Sequence, residues 1–301
     1  MSTSLLAHAL RLLASLAGLP GPRLRRRLAE AFAAREFRRR SARALVVECN
    51  LRLAALDAAL AVPTLANAAL TLLESLRYWT WPRSVNLRDV VAVHGLPLLE
   101  SMERDGAVII IAPHYGNWEL LVQWFAHRRR LTLIYSRGKS AVIDRFLKRV
   151  RERSGVCAVP ADMHGMKPLL RALQRGETVG FTPDQRPDDG GGLWSPFFGV
   201  PALTMTLPHR LGERVPQARQ VLAFAERRAD GRFEVHLWPV PAAVTSGPVQ
   251  DGVDALNVAI ETVVRRDPSQ YQWTYKRFRG QRPGGDAVNP YWPECYRCPK
   301  R

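Results

Sequence analysis

The spacing of apolar and polar positions along this chain changes several times, and each change marks a candidate element. From Ala107 to Ala112 the residues AVIIIA are apolar without a break, and Pro113 ends the run. So short an Ile-rich run cannot span a membrane and suits a strand covered on both faces, within a parallel or mixed sheet. Helical spacing takes over in the residues that follow, HYGNWELLVQWFAHRR from His114. Asn117 is placed to cap that helix, and Glu119 falls in its first turn, where a carboxylate meets the positive end of the helix dipole.

The same reading predicts strands at 87–94 and 131–136, in VCAVP, and in TVGFTPD from Thr178. A hairpin follows in RQVLAFAERR and GRFEVHLWPV, and helices are predicted at 96–104, 141–153, 166–175, about 203–211 and 251–266. Strands alternating with helices of this length indicate a three-layer α/β sheet. The Gly- and Pro-rich stretch from Arg186 to Thr206 breaks the pattern; it reads as a long loop whose Trp194, Phe197 and Phe198 suit a lid or an acyl-chain wall.

Four segments are expected: a short apolar N-terminal anchor at 1–22, a basic helical region at 23–82, an α/β catalytic domain at 83–285, and a mobile tail at 286–301. The anchor segment, SLLAHALRLLASLAGLP, is interrupted by His8 and Arg11 and falls short of a full span, which favours an in-plane or tilted helix. Between Arg23 and Arg43 nine arginines face two glutamates, with Leu24, Leu28, Phe32 and Phe37 at helical spacing among them. An interfacial helix on anionic lipid and a solvated basic helix packed on the domain both fit this pattern. The cluster Tyr78, Trp79 and Trp81 fits either a core lid or a membrane-interface belt.

Composition narrows the class. With 301 residues and 47% hydrophobic content the chain can bury a full core, and its net charge of +17 calls for an anionic partner: nucleic acid, a phospholipid surface or an acidic carrier protein. No helix-turn-helix, zinc-finger or RNP signature is present, so nucleic acid is not expected. The four cysteines read as reduced thiols; Cys295 and Cys298 form one C-x-x-C without a second pair, a weak metal signal, and no metal is expected.

Candidate chemistry gathers at strand ends, where open α/β sheets bind ligands. His114 in the turn and Glu119 just inside the helix are expected to meet across Gly116, with the carboxylate orienting the imidazole as a general base. Backbone N–H groups near Asn117 are candidates for stabilising an oxyanion. A second strand ends in Pro183, Asp184 and Gln185, which places Asp184 near His114. Arg151 is read either as a phosphate ligand or as a structural partner of Asp184.

HYGNWE, PDQ, SPFFGVPALT and QYQWTYKRFR, in this order and at these separations, closely resemble the lipid A late acyltransferases of the lysophospholipid acyltransferase superfamily. The resemblance runs from about Leu72 to Pro283. It implies a central mixed, mostly parallel sheet flanked by helices, glycerol-3-phosphate acyltransferase-like, with an N-terminal membrane-associating region at the cytoplasmic face of the inner membrane. It also implies transfer of a fatty acyl chain from acyl carrier protein, or from acyl-CoA, to a hydroxyl of a lipid A precursor, with no cofactor. In that family's motifs the base matches His114 and its orienting carboxylate Glu119, with Arg151, Arg153 and Asp184 in supporting positions. Two alternatives stand beside this reading: the same chemistry on another acceptor such as an ornithine lipid, glycolipid or polyene, and an inactive basic membrane- or nucleic-acid-binding protein.

Overall fold

The computed structural model describes residues 15–16, 18–135, 141–153, 155–187, 190–280 and 289–296. Three helices come first: α1 (Pro22–Arg38), α2 (Ala42–Leu53) and α3 (Ala61–Thr80). After the short α4 (Arg83–Asn86) the chain alternates through β1 (Val90–His94), α5 (Leu96–Asp105), β2 (Val108–Ile111), α6 (Trp118–Arg128), β3 (Leu131–Tyr135) and α7 (Ala141–Arg153). It continues through β4 (Val156–Pro160), α8 (Met163–Gln174), β5 (Thr178–Phe181), β6 (Gly192–Phe197), β7 (Val200–Met205) and α9 (Leu207–Arg214). The last elements are β8 (Arg219–Arg227), β9 (Phe233–Pro239) and α10 (Val249–Val264).

Seven strands form one sheet in the order β1-β9-β8-β2-β5-β3-β4. Neighbours run parallel except in the β8–β9 hairpin. All four residues of β2 are buried because alternate side chains enter different cores. Ile109 and Ile111 join Val179, Phe181 and Phe224 in a core shared with α1, α2, α3, α8 and α10. Val108 and Ile110 enter the opposite core with Leu99 of α5 and Leu120, Leu121, Trp124 and Phe125 of α6. The three layers expected from the sequence are therefore present, and the basic helices of 23–82 belong to the same packed core as the sheet.

The expected long lid at 186–206 is instead largely a β-hairpin, β6–β7, with Phe197 paired to Val200. Phe198 and Gly199 turn the chain at φ 50° and 74°, the left-handed pair that a tight two-residue hairpin needs. Pro196 and Pro201 face each other across it. Prolines are tolerated there because a two-stranded ribbon leaves each strand an open edge. Phe197 is fully buried and packs against Tyr271, Trp273 and Phe278, so it is core rather than lid. The helix expected from Leu203 begins at Leu207, with Pro208 in its first turn, because Leu203 to Met205 are spent in β7.

The C-terminal stretch 289–296, expected as mobile tail, docks on α2. The Tyr291 hydroxyl donates to Asn50 Oδ1 at 2.6 Å and accepts from the Phe278 N–H at 3.0 Å, and Tyr291 is fully buried. Most of the expected anchor, and Cys298, lie outside the described residues. Among those described, Ala58–Thr80 is long and apolar enough to cross a membrane by length and composition. Its Glu74 and Arg77 are nevertheless ion-paired within the fold, to Arg227 and Asp89.

Candidate active site

The in-register pairing of β2 with β5 sets the site. Ile111 lies opposite Phe181, and the Ala112 N–H extends the ladder to the Phe181 carbonyl. Three residues beyond each partner come His114 and Asp184. Asp184 Oδ2 accepts the His114 backbone N–H at 2.8 Å, and Oδ1 lies 2.8 Å from His114 Nδ1. Burial alone would raise the carboxyl of Asp184, but the facing His114 ring and N–H hold it below the usual carboxylate range. The Nδ1 proton therefore points at a carboxylate, which leaves Nε2 as the acceptor nitrogen, the tautomer a general base requires.

This corrects the expected dyad. Glu119 does not orient His114: its Oε1 accepts from Arg151 Nη2 at 2.7 Å, with both side chains buried. Arg151 correspondingly pairs with Glu119 and not with Asp184, and its guanidinium lies over the rings of Trp118 and Tyr135. The pair still borders the site, because Trp118 packs edge-on to the His114 ring at 5.8 Å. Arg153 is exposed at the end of α7, away from these contacts.

Asn117 caps α6 as expected, its side chain accepting from the Leu120 N–H at 3.3 Å. It is fully buried, and its Nδ2 donates to Glu74, so it is not available to a substrate. Of the N–H groups near Asn117 expected to meet an oxyanion, the three in the turn itself are already engaged, which leaves only those of Trp118 and Glu119 at the helix start. Those of Tyr115, Gly116 and Asn117 are bonded to Pro113, Gln270 and Ala225 carbonyls. The same bonds fix the turn in place, and the Gln272 N–H closes the frame on the His114 carbonyl at 3.0 Å.

Three further parts of the neighbourhood were not joined to His114 from the sequence, although Gln185 itself was singled out at its strand end. Gln185 Nε2 lies 3.3 Å from His114 Nε2 and donates to Gln272 Oε1 at 3.0 Å. Beneath the turn, fully buried Arg227 donates to both oxygens of Glu74 at 2.9 and 2.7 Å and ties β8 to α3. In front of His114 opens a cavity of about 480 Å³, lined among others by Leu28, Phe32, Leu65, Leu72 and Gln272. No signal in the sequence joined α1 to His114 across more than eighty residues; only the helix periodicity showed that α1 has an apolar face.

Among the described residues one group of metal-ligand types meets, His94, Glu234 and His236. The two imidazoles stack nearly parallel at 4.6 Å, so their in-plane lone pairs do not converge well on one ion, and Arg228 already pairs with Glu234. It reads as an ion-paired cluster at the sheet edge.

A carboxylate-held histidine at a parallel strand end, facing an apolar cavity, has the geometry of a general base beside an apolar substrate, and the class of protein given by comparison with known families is acyltransferase. The chain belongs to the bacterial lipid A biosynthesis acyltransferase family, whose model matches residues 4–280. It is 25% identical over 225 residues to a lipid A biosynthesis palmitoleoyltransferase of Escherichia coli strain K12, covering 73% of this chain and 71% of that one. A lauroyltransferase of lipid A biosynthesis from the same organism is 23% identical over 227 residues, 74% of this chain and 72% of that one. A myristoyltransferase of the same organism is 25% identical over 202 residues, 65% and 61% of the two chains.

Proposed function

We propose that the protein moves a fatty acyl chain from acyl carrier protein to a hydroxyl of a lipid A precursor, at the cytoplasmic face of the inner membrane. The observation that carries this is His114 itself. Its Nδ1 is bound to buried Asp184, and its ring lines a largely apolar cavity of about 480 Å³. His114 takes the proton of the acceptor hydroxyl, the alkoxide oxygen bonds to the thioester carbon, and the C–S bond breaks. The imidazolium then returns its proton to the leaving thiolate. Asp184 stabilises the imidazolium; Glu119 and Arg151 brace Trp118 against the ring.

The surface supports a membrane setting. Leu24, Leu28 and Phe32 form a stripe along α1 and are 51, 50 and 41% exposed, and Leu72 of α3 beside the cavity is 56% exposed. Arginines of the same helix flank the stripe, as an interfacial helix on anionic lipid requires.

The test is acyl transfer by membranes carrying the protein, with acyl carrier protein thioesters and a tetraacylated lipid A precursor. The precursor gains the mass of one acyl group with the wild type and not with His114→Ala. Thioester turnover onto a different lipid would keep the chemistry and overturn the acceptor. No turnover with any acceptor would overturn the proposal.

A further inference from the structure

The cleavage of a thioester by an alkoxide places negative charge on the carbonyl oxygen, and that charge needs donors in place before it forms. The backbone turn does not supply them from Tyr115 to Asn117, since those N–H groups are already bonded within the protein. The His114 N–H is likewise held by Asp184. A side-chain amide does stand at the reacting position. We infer that Gln185 is a catalytic residue of the proposed acyl transfer, donating one N–H of its amide to the thioester oxyanion while Gln272 holds the other and positions the amide.

Three observations carry this. First, the amide's orientation is fixed by chemistry. His114 Nδ1 donates to Asp184, so Nε2 presents a lone pair, and only the NH₂ end of Gln185 can answer it at 3.3 Å. Second, the other N–H of the same NH₂ group is held by Gln272 Oε1 at 3.0 Å, so the group is aimed from both sides. Third, Gln272 is exposed and lines the cavity, so the pair stands where a thioester and a hydroxyl would meet.

In the resting protein the amide covers the lone pair of the base. An acceptor hydroxyl must take its place at Nε2, about 3 Å from the ring nitrogen. The displaced N–H then lies beside the carbon under attack. As the new C–O bond forms, the carbonyl π pair moves onto oxygen and Gln185 donates to it. When the C–S bond breaks, the pair returns and the thiolate takes the proton held on His114. Gln185 itself gains and loses no atoms.

This inference rests on the acyltransferase reading above, and the experiment separates the two. Steady-state kinetics are measured for the wild type, Gln185→Met, Gln272→Met and the double variant, with thermal midpoints alongside. A non-reacting alkylphosphonate monoester, whose anionic tetrahedral phosphorus mimics the intermediate, and a fatty alcohol of the same length are used as binding probes. Gln185→Met is expected to lower kcat about 10²- to 10³-fold, the loss typical of one oxyanion donor, with KM for the thioester changed less than about threefold. Phosphonate affinity should fall by a similar factor while fatty-alcohol affinity holds, since only the first resembles the transition state. Gln272→Met should lose about tenfold in kcat, and the double variant no more than Gln185→Met alone, because the two act as one unit.

A Gln185→Met enzyme with kcat within threefold of wild type would overturn the inference and leave the acyltransferase reading standing. So would an equal loss of affinity for both probes, which marks a packing role. A wild type that turns over no thioester removes the reading on which the inference rests, and both fall.

Discussion

Replacing Asp184 by Asn keeps the side chain's size at His114 Nδ1 but removes the charge that stabilises the imidazolium and lets the amide select the wrong tautomer. Asp184→Asn is expected to lower kcat about 10²- to 10⁴-fold with a modest fall in the thermal midpoint at neutral pH, checked by kinetics and melting on the same preparation. Glu119→Gln should show the reverse emphasis. It leaves the Arg151 guanidinium buried without its full counter-charge, a change that typically costs about 3–5 kcal/mol, and denaturant unfolding will report it. Acid should act through the depressed carboxylates. Burial would raise Glu226, yet His236, Arg266 and Tyr115 together hold it down to about 2 from an ordinary 4.5. The folded protein thus binds fewer protons than the unfolded chain between those values. Its contribution is complete above about pH 5 and is lost as pH falls toward 2, with Asp184 acting in the same direction. Glu226→Gln should flatten that acid limb of the stability profile.

The turn between β2 and α6 depends on a backbone approach that admits no side chain. Gly116 sits at φ 60°, and a Cβ there would fall 1.8 Å from the Ala225 carbonyl oxygen of β8. Gly116→Ala must therefore push the turn off β8. Its cost should exceed the roughly 1–2 kcal/mol of left-handed strain alone and carry His114 with it, so stability and kcat should fall together. Arg227 holds the neighbouring elements. Its guanidinium reaches Asn67, Thr71 and Glu74 along one face of α3, and Arg227→Ala should destabilise the protein by about 3–5 kcal/mol in urea unfolding. These elements were unequally legible in the sequence. β2 and α6 declared themselves because a covered strand needs an unbroken apolar run and a helix needs a cap. The β6–β7 hairpin did not, because its Gly and Pro residues serve an edge ribbon and a tight turn, and those residue types read equally well as loop. The Glu119–Arg151 pair was hidden for a different reason: thirty-two residues separate its members, and nothing local in either segment names the other.

With a charge of +17 and an exposed apolar stripe beside the cavity, the molecule as a whole should gather on anionic membranes. Binding to anionic vesicles should exceed binding to neutral ones and weaken between low and moderate salt as the charges are screened. Leu28→Glu should reduce it at every salt concentration; sedimentation with vesicles is the check. The sequence by itself determined the fold class, the strand that delivers His114, the cap on the helix after it, and the likeness to an acyltransferase family, because each is written in contiguous residues whose spacing obeys local geometry. Only the tertiary structure decided which carboxylate holds the histidine, where the cavity opens, and that Gln185 faces the base. Those depend on the register of β2 against β5 and on helices packed across the sheet. Register is a property of two distant segments at once, and neither segment contains it alone.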